Sequence, residues 1–158
     1  MTSMTEQAVV RVERIIPAPP EKVLGAWLEP ELLRRWALPG RGYEVMRAEV
    51  DPRVGGRIAV WQTDDSGISI GGFDSEILEL THDRLVLGWR FVGPEREFFA
   101  EHDSLVTITV AEAPGGTLLT LVHERLDPLR EGMPEVFSGV PVGWNAALDQ
   151  LAEVFSRR

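Results

Sequence analysis

The last stretch of this chain, Pro141 to about Phe155, constrains its fold more than any other. Trp144, Ala147, Leu148, Leu151, Val154 and Phe155 recur there at three- and four-residue steps. Asn145, Asp149, Gln150 and Glu153 take the opposite side. The spacing predicts an amphipathic helix opened by Pro141, since a proline in the first turn gives up only an N–H that has no intrahelical partner anyway. At about 1.5 Å per residue it spans roughly 22 Å, the length of a long strand. A stripe of that length has to be covered, and only a sheet of six or seven strands is large enough.

The preceding sequence supplies that sheet. Ala8 to Ile16 reads as a strand ended by Pro17-Ala18-Pro19-Pro20, with Pro20 fit for the first turn of a helix. Glu21 to Leu28 carries Val23, Leu24 and Trp27 at helical spacing, and Pro30 opens a second short helix, Glu31 to Trp36. Six strand-like segments follow: Tyr43–Val50, Arg57–Gln62, Phe73–Leu80, Leu85–Phe91, Leu105–Val110 and Thr117–His123. Turn residues such as Asp51-Pro52, Gly55-Gly56 and Gly115-Gly116 bound them, and the short connections imply an antiparallel meander. Pro94 to Asp103 reads as an exposed acidic loop, and Asp127 to Val140, with Pro128, Gly132, Pro134 and Gly139, as irregular chain. The expected architecture is an α+β helix-grip. A curved antiparallel sheet of about seven strands wraps a long C-terminal helix, and two short helices follow the first strand. Residues 8–158 form one domain in this reading, and residues 1–7 a flexible N-terminus.

Composition narrows the function. The 25 acidic and 16 basic residues give a formal net charge of −9, and the single lysine is Lys22. That balance, with no basic cluster, disfavours nucleic acid and anionic membrane surfaces. With 0 cysteines, thiolate chemistry and cysteine zinc sites are excluded. No signal peptide is evident at Met1 to Gln7, and no apolar run approaches the ~20 residues that cross a bilayer, so the expected address is the cytoplasm. His82 and His102 fall at opposite ends of one strand, and neither a metal nor a cofactor is expected. There is no nucleophile elbow, phosphate loop or dinucleotide fingerprint.

The residues left to carry chemistry are few. In Asp51 to Gly56, a functional reading makes Asp51 a general base and Arg53 an anion clamp, but turn geometry explains each residue type: Asp51-Pro52 turns the chain, the glycines permit unusual φ, and Arg53 pairs with a nearby carboxylate. Five tryptophans, Trp27, Trp36, Trp61, Trp89 and Trp144, are available for core packing or for a ligand pocket. A sheet gripping a helix leaves space between them unless large side chains fill it, so part of this set is expected to touch a ligand. Strand alternation puts His123 on one face with Leu119 and Leu121. An imidazole there is either hydrogen-bonded within the core or, titrating near neutrality, an acid, base or ligand anchor. The expected cavity set is Trp36, Trp61, Trp89, His123, Trp144 and Leu148.

Ordered along nearly the whole chain are Pro17-Ala18-Pro19, Pro30-Glu31-Leu32 leading to Trp36, and Asp51-Pro52-Arg53-Val54-Gly55-Gly56. Leu85-Val86 with Trp89, Gly116-Thr117-Leu118-Leu119-Thr120 through His123, and Gly143-Trp144 with Leu148 and Leu151 continue the series. In these the sequence resembles the activator of heat-shock-protein-90 ATPase homologue-like (AHSA-like) group. That group lies within the START/SRPBCC superfamily of birch-pollen-allergen-like proteins and polyketide cyclases. Ala37 stands where the family often has a second aromatic, and Glu135 to Pro141 carries one charge where relatives are commonly helical and charged. The fold so implied hosts binders, enzymes and co-chaperones alike, and the first expectation is a hydrophobic small-molecule binder with an apolar cavity between sheet and helix, where His123 and one or more indoles give polar contact. The alternatives are a cyclase, isomerase or hydrolase using His123 with a second group such as Glu44, Arg90 or Glu124, and a co-chaperone-like interaction module. It also leaves room for a role in the stress response, a chaperone partner and a homodimer.

Overall fold

The computed structural model describes residues 8–95 and 103–156. Residues 1–7, read as flexible, and residues 96–102 of the loop read as exposed lie outside the described residues, as does His102. Alternation builds the first strand, β1 (Val10–Ile16): Val10, Val12 and Ile16 are buried while Arg11 and Glu13 face solvent. Two short helices follow, α1 (Pro20–Gly25) and α2 (Pro30–Trp36), each with proline in its opening turn. The six expected strands all form: β2 (Glu44–Val50), β3 (Arg57–Thr63), β4 (Ser69–Leu80), β5 (Arg84–Val92), β6 (Ser104–Ala113) and β7 (Gly116–Glu124). With β1 they make a seven-stranded antiparallel sheet in the order β1-β7-β6-β5-β4-β3-β2.

Two local features show how residue type sets geometry. Between β2 and β3, Arg53 Nε donates to both Asp51 carboxylate oxygens at 3.0 Å, and a Cβ on Gly56 would lie 2.1 Å from the Asp51 carbonyl oxygen. Only glycine fits that close approach, so the motif is a turn. β4 begins four residues ahead of the expected Phe73. Gly71 and Gly72, which lie ahead of the expected strand, are drawn into the sheet opposite Gln62 and Trp61 of β3. Gly71 holds φ 93°, and a register shift between Gln62 and Thr63 marks the irregularity.

The C-terminal helix departs from the sequence reading. Asp127 to Val140 is not irregular: it holds a short helix, α3 (Asp127–Gly132), and the first turns of α4 (Pro134–Ser156). Pro141 does not open α4 but lies inside it, and the 23 residues span about 34 Å. Proline there removes the bond to the Phe137 carbonyl and crowds it, normally a helix-ending penalty. The apolar periodicity outweighs it. Val136, Val140, Trp144 and Leu148 continue one stripe at four-residue steps across the proline, with Val140, Trp144 and Leu148 buried. Beyond the proline α4 is clamped. Arg14 of β1 bonds Asn145 at 2.6 Å and Asp149 at 2.9 Å, and Gln150 Nε2 donates to the Trp36 and Leu38 carbonyls.

Pro141 is exposed, so Pro141→Ala restores the missing bond without disturbing the core. The gain is offset in part because alanine frees the unfolded chain, leaving a net stabilisation of about 1 kcal/mol. Urea unfolding of the two proteins checks this; an unchanged or lower midpoint would mean that the proline fits its site without cost. Among the described residues, no helix is long and apolar enough to cross a membrane.

Candidate functional site

The concave side of the sheet and the first half of α4 enclose a cleft of about 530 Å³. Its walls come from four regions. Trp27 and Trp36, at the ends of the short helices, form one side with Ala37, and Phe73, Trp89 and Phe91 rise from β4 and β5. The loop after β5 contributes Gly93 and Pro94, and α4 contributes Val136, Gly139, Val140, Gly143 and Trp144.

The rings form a connected wall. Phe73 stacks on Trp89 at 4.0 Å between centroids, Trp89 meets Trp144 at 5.0 Å, and Trp144 meets Trp27 at 5.9 Å. Trp27 packs edge-on against Trp36 at 4.5 Å, and Trp36 Nε1 donates to the Ala26 carbonyl at 3.1 Å. Such edge and tilted contacts suit ring quadrupoles and hold the wall in place. Polar side chains are sparse. Gln62 Nε2 is committed to the Ala37 carbonyl at 2.8 Å, and Glu135 stands in the first turn of α4.

His123 lies behind this wall. As strand alternation predicts, it is fully buried beside Leu119 and Leu121. Trp144 Nε1 reaches its Nδ1 at 3.0 Å, and Ser104 Oγ lies 2.7 Å from its Nε2. An indole N–H can only donate, so Nδ1 is the acceptor and carries no hydrogen. The neutral ring therefore bears its proton on Nε2, which donates to Ser104 Oγ, and the Ser104 hydroxyl donates in turn to the Trp89 carbonyl at 3.4 Å. Burial lowers the His123 pKa to about 3. This corrects the expectation of titration near neutrality: desolvation opposes the charged ring, and a proton on Nδ1 would displace the Trp144 bond. The histidine braces two wall tryptophans, through Trp144 Nε1 and through the carbonyl of Trp89.

Among the expected cavity residues, Trp36, Trp89 and Trp144 line the cleft together. His123 sits one layer behind, its ring 5.6 Å from Trp89 and 6.0 Å from Trp144. Leu148 is fully buried one turn past Trp144, in the core below the cleft. Trp61 lies on the other face of β3, half-buried under the Arg47 guanidinium at 5.6 Å. The groups weighed as partners for His123 stand elsewhere. Arg90 and Glu124 each follow an inward residue and so point to the outer face, where Arg90 approaches Asp103 at 3.5 Å, and Glu44 is exposed at the start of β2. Among the described residues, no three or more His, Asp or Glu side chains are placed to hold a metal ion.

The sequence reading missed Trp27, Phe73, Phe91 and the two glycines of α4 as wall residues. Strand alternation carries a signal for the phenylalanines, since Phe91 shares a face with Trp89. The four-residue spacing of Gly139 and Gly143 marks one helix face once the helix is known to include both.

The family described as Activator of Hsp90 ATPase homolog 1-like protein matches residues 17–156. No match is found among curated proteins. The chain is similar to the solved structure of a Chromobacterium violaceum protein at 28% identity, with a TM-score of 0.75 over 95% of this chain and 99% of that one. The AHSA1 protein of Silicibacter pomeroyi shares 21% identity and a TM-score of 0.75 over 94% and 97% of the two chains. An Arthrobacter aurescens protein shares 19% identity and a TM-score of 0.81 over 98% and 90%. The last two likenesses show the fold.

Proposed function

The chain belongs to the Activator of Hsp90 ATPase homolog 1-like family, and from its cleft we propose that it binds a hydrophobic small molecule between the sheet and the first half of α4. One observation carries the reading. Gly139 and Gly143 sit inside a helix, where glycine costs about 1 kcal/mol relative to alanine. Both line the cleft, and a Cβ added to either would meet nothing within 4 Å. The protein's own packing therefore does not require them. A ligand lying flush against the helix backbone would account for them, and the volume falls within the roughly 300–1,000 Å³ of small-molecule sites.

Trp27, Trp36, Trp89 and Trp144 surround the cleft, so their emission reports occupancy. Titration with Nile red, a neutral apolar dye, is expected to quench tryptophan emission saturably at one dye per chain. A linear, unsaturable response would indicate surface adsorption and count against the reading. His123 acts here as a brace for the wall. A reaction in the cleft would have to draw its acid or base from another group, and the binding reading needs none.

A further inference from the structure

The cleft's charge pattern narrows the chemistry of its ligand. Six aromatic rings line it: Trp27, Trp36, Phe73, Trp89, Phe91 and Trp144. Among the described residues the one charged side chain lining it is Glu135, itself exposed to solvent, and no Lys, Arg or His side chain lines it. A carboxylate entering such a site leaves water and meets no cation, only the unpartnered indole N–H groups of Trp27 and Trp89, which can bond it but do not neutralise its charge. A cation meets the opposite situation, because aromatic faces are electron-rich and attract it most strongly where water is excluded. The formal net charge of −9 adds a long-range field that concentrates cations near the protein.

We propose that the ligand is a cationic amphiphile, an apolar body carrying a protonated amine or a quaternary ammonium group set among the indoles toward Glu135. This rests on the binding function proposed above and adds a charge preference to it. Glu135 also offsets the dipole at the start of α4, and that local role does not depend on what the cleft holds.

The test uses three probes with the same ten-carbon chain: decyltrimethylammonium, decanol and decanoate, each below its micelle concentration. Tryptophan emission of the full chain and of two variants, Glu135→Gln and Gly143→Leu, reports binding. Decyltrimethylammonium is expected to bind about tenfold tighter than decanol, with decanoate weakest. Glu135→Gln is expected to reduce the ammonium affinity severalfold and leave decanol unchanged. Gly143→Leu is expected to abolish the binding of all three.

Equal or tighter binding of decanol would overturn the charge preference, as would decanoate binding as well as the ammonium. Ammonium binding that survives in Gly143→Leu would also overturn it, since attraction to an acidic surface alone gives that result. If Nile red still saturates the cleft in any of these cases, the charge preference fails while the broader binding function stands.

Discussion

Lowering the pH from 6.5 to 5 is expected to weaken the fold by about 2 kcal/mol through His123 alone. The folded state holds this imidazole neutral down to a pKa of about 3, whereas the unfolded chain takes up the proton at the ordinary 6.5. Between those values the unfolded state binds the extra proton, so stability falls as pH falls, by about 1.4 kcal/mol per unit. The penalty is absent well above 6.5, grows steadily as pH falls below it, and levels off near 3. At that limit it reaches roughly 5 kcal/mol, comparable to the whole stability of many domains. The window from 6.5 to 5 is the informative one, because ordinary carboxylates titrate lower.

Urea unfolding at several pH values measures the slope. The matched variant is His123→Gln, whose side-chain amide can accept from Trp144 and donate to Ser104 but does not titrate. Whatever its stability at pH 7, its slope between pH 6.5 and 5 is expected to be flatter by the His123 share. An identical slope in both proteins would show that the imidazole is not held neutral in the fold.

The second large effect is on the cleft. Gly143→Leu places a branched side chain in space where a Cβ meets nothing within 4 Å. Leucine is also a far better helix former than glycine, so the variant is expected to be more stable by about 0.5–1 kcal/mol. Nile red binding is expected to fall more than tenfold in the same protein. Stability and binding moving in opposite directions separates a filled site from a damaged fold, since damage lowers both. A stable variant that binds the dye as well as the native protein would place the binding site elsewhere.

Much of this arrangement can be read from the residues. The stripe from Trp144 to Leu151 demands a sheet, and the strands that supply it appear nearly where their apolar runs lie. The inward face of His123 follows from its alternation with Leu119 and Leu121. Its protonation state does not, because that depends on Ser104 and Trp144, brought to it from another strand and from α4. The side of the sheet that Trp61 takes is hidden for a local reason. Ile58, Ala59 and Val60 are all buried, so apolar residues on both faces of β3 erase the alternation that would assign a side. The start of α4 is hidden by Gly139, which reads as irregular chain, and by Pro141, which reads as the first turn of the helix, until the packing of Val136 and Val140 outweighs both. The glycines that open the cleft were concealed by the same misreading.

The central claim is that this cleft holds a molecule, and the most direct measurement is mass spectrometry of a denaturing extract of the purified protein. Native protein and Gly143→Leu, prepared identically, are compared. The native extract is expected to contain one compound with an apolar body in near-stoichiometric amount, and the variant extract to lack it. The same compound at equal level in both would contradict the claim.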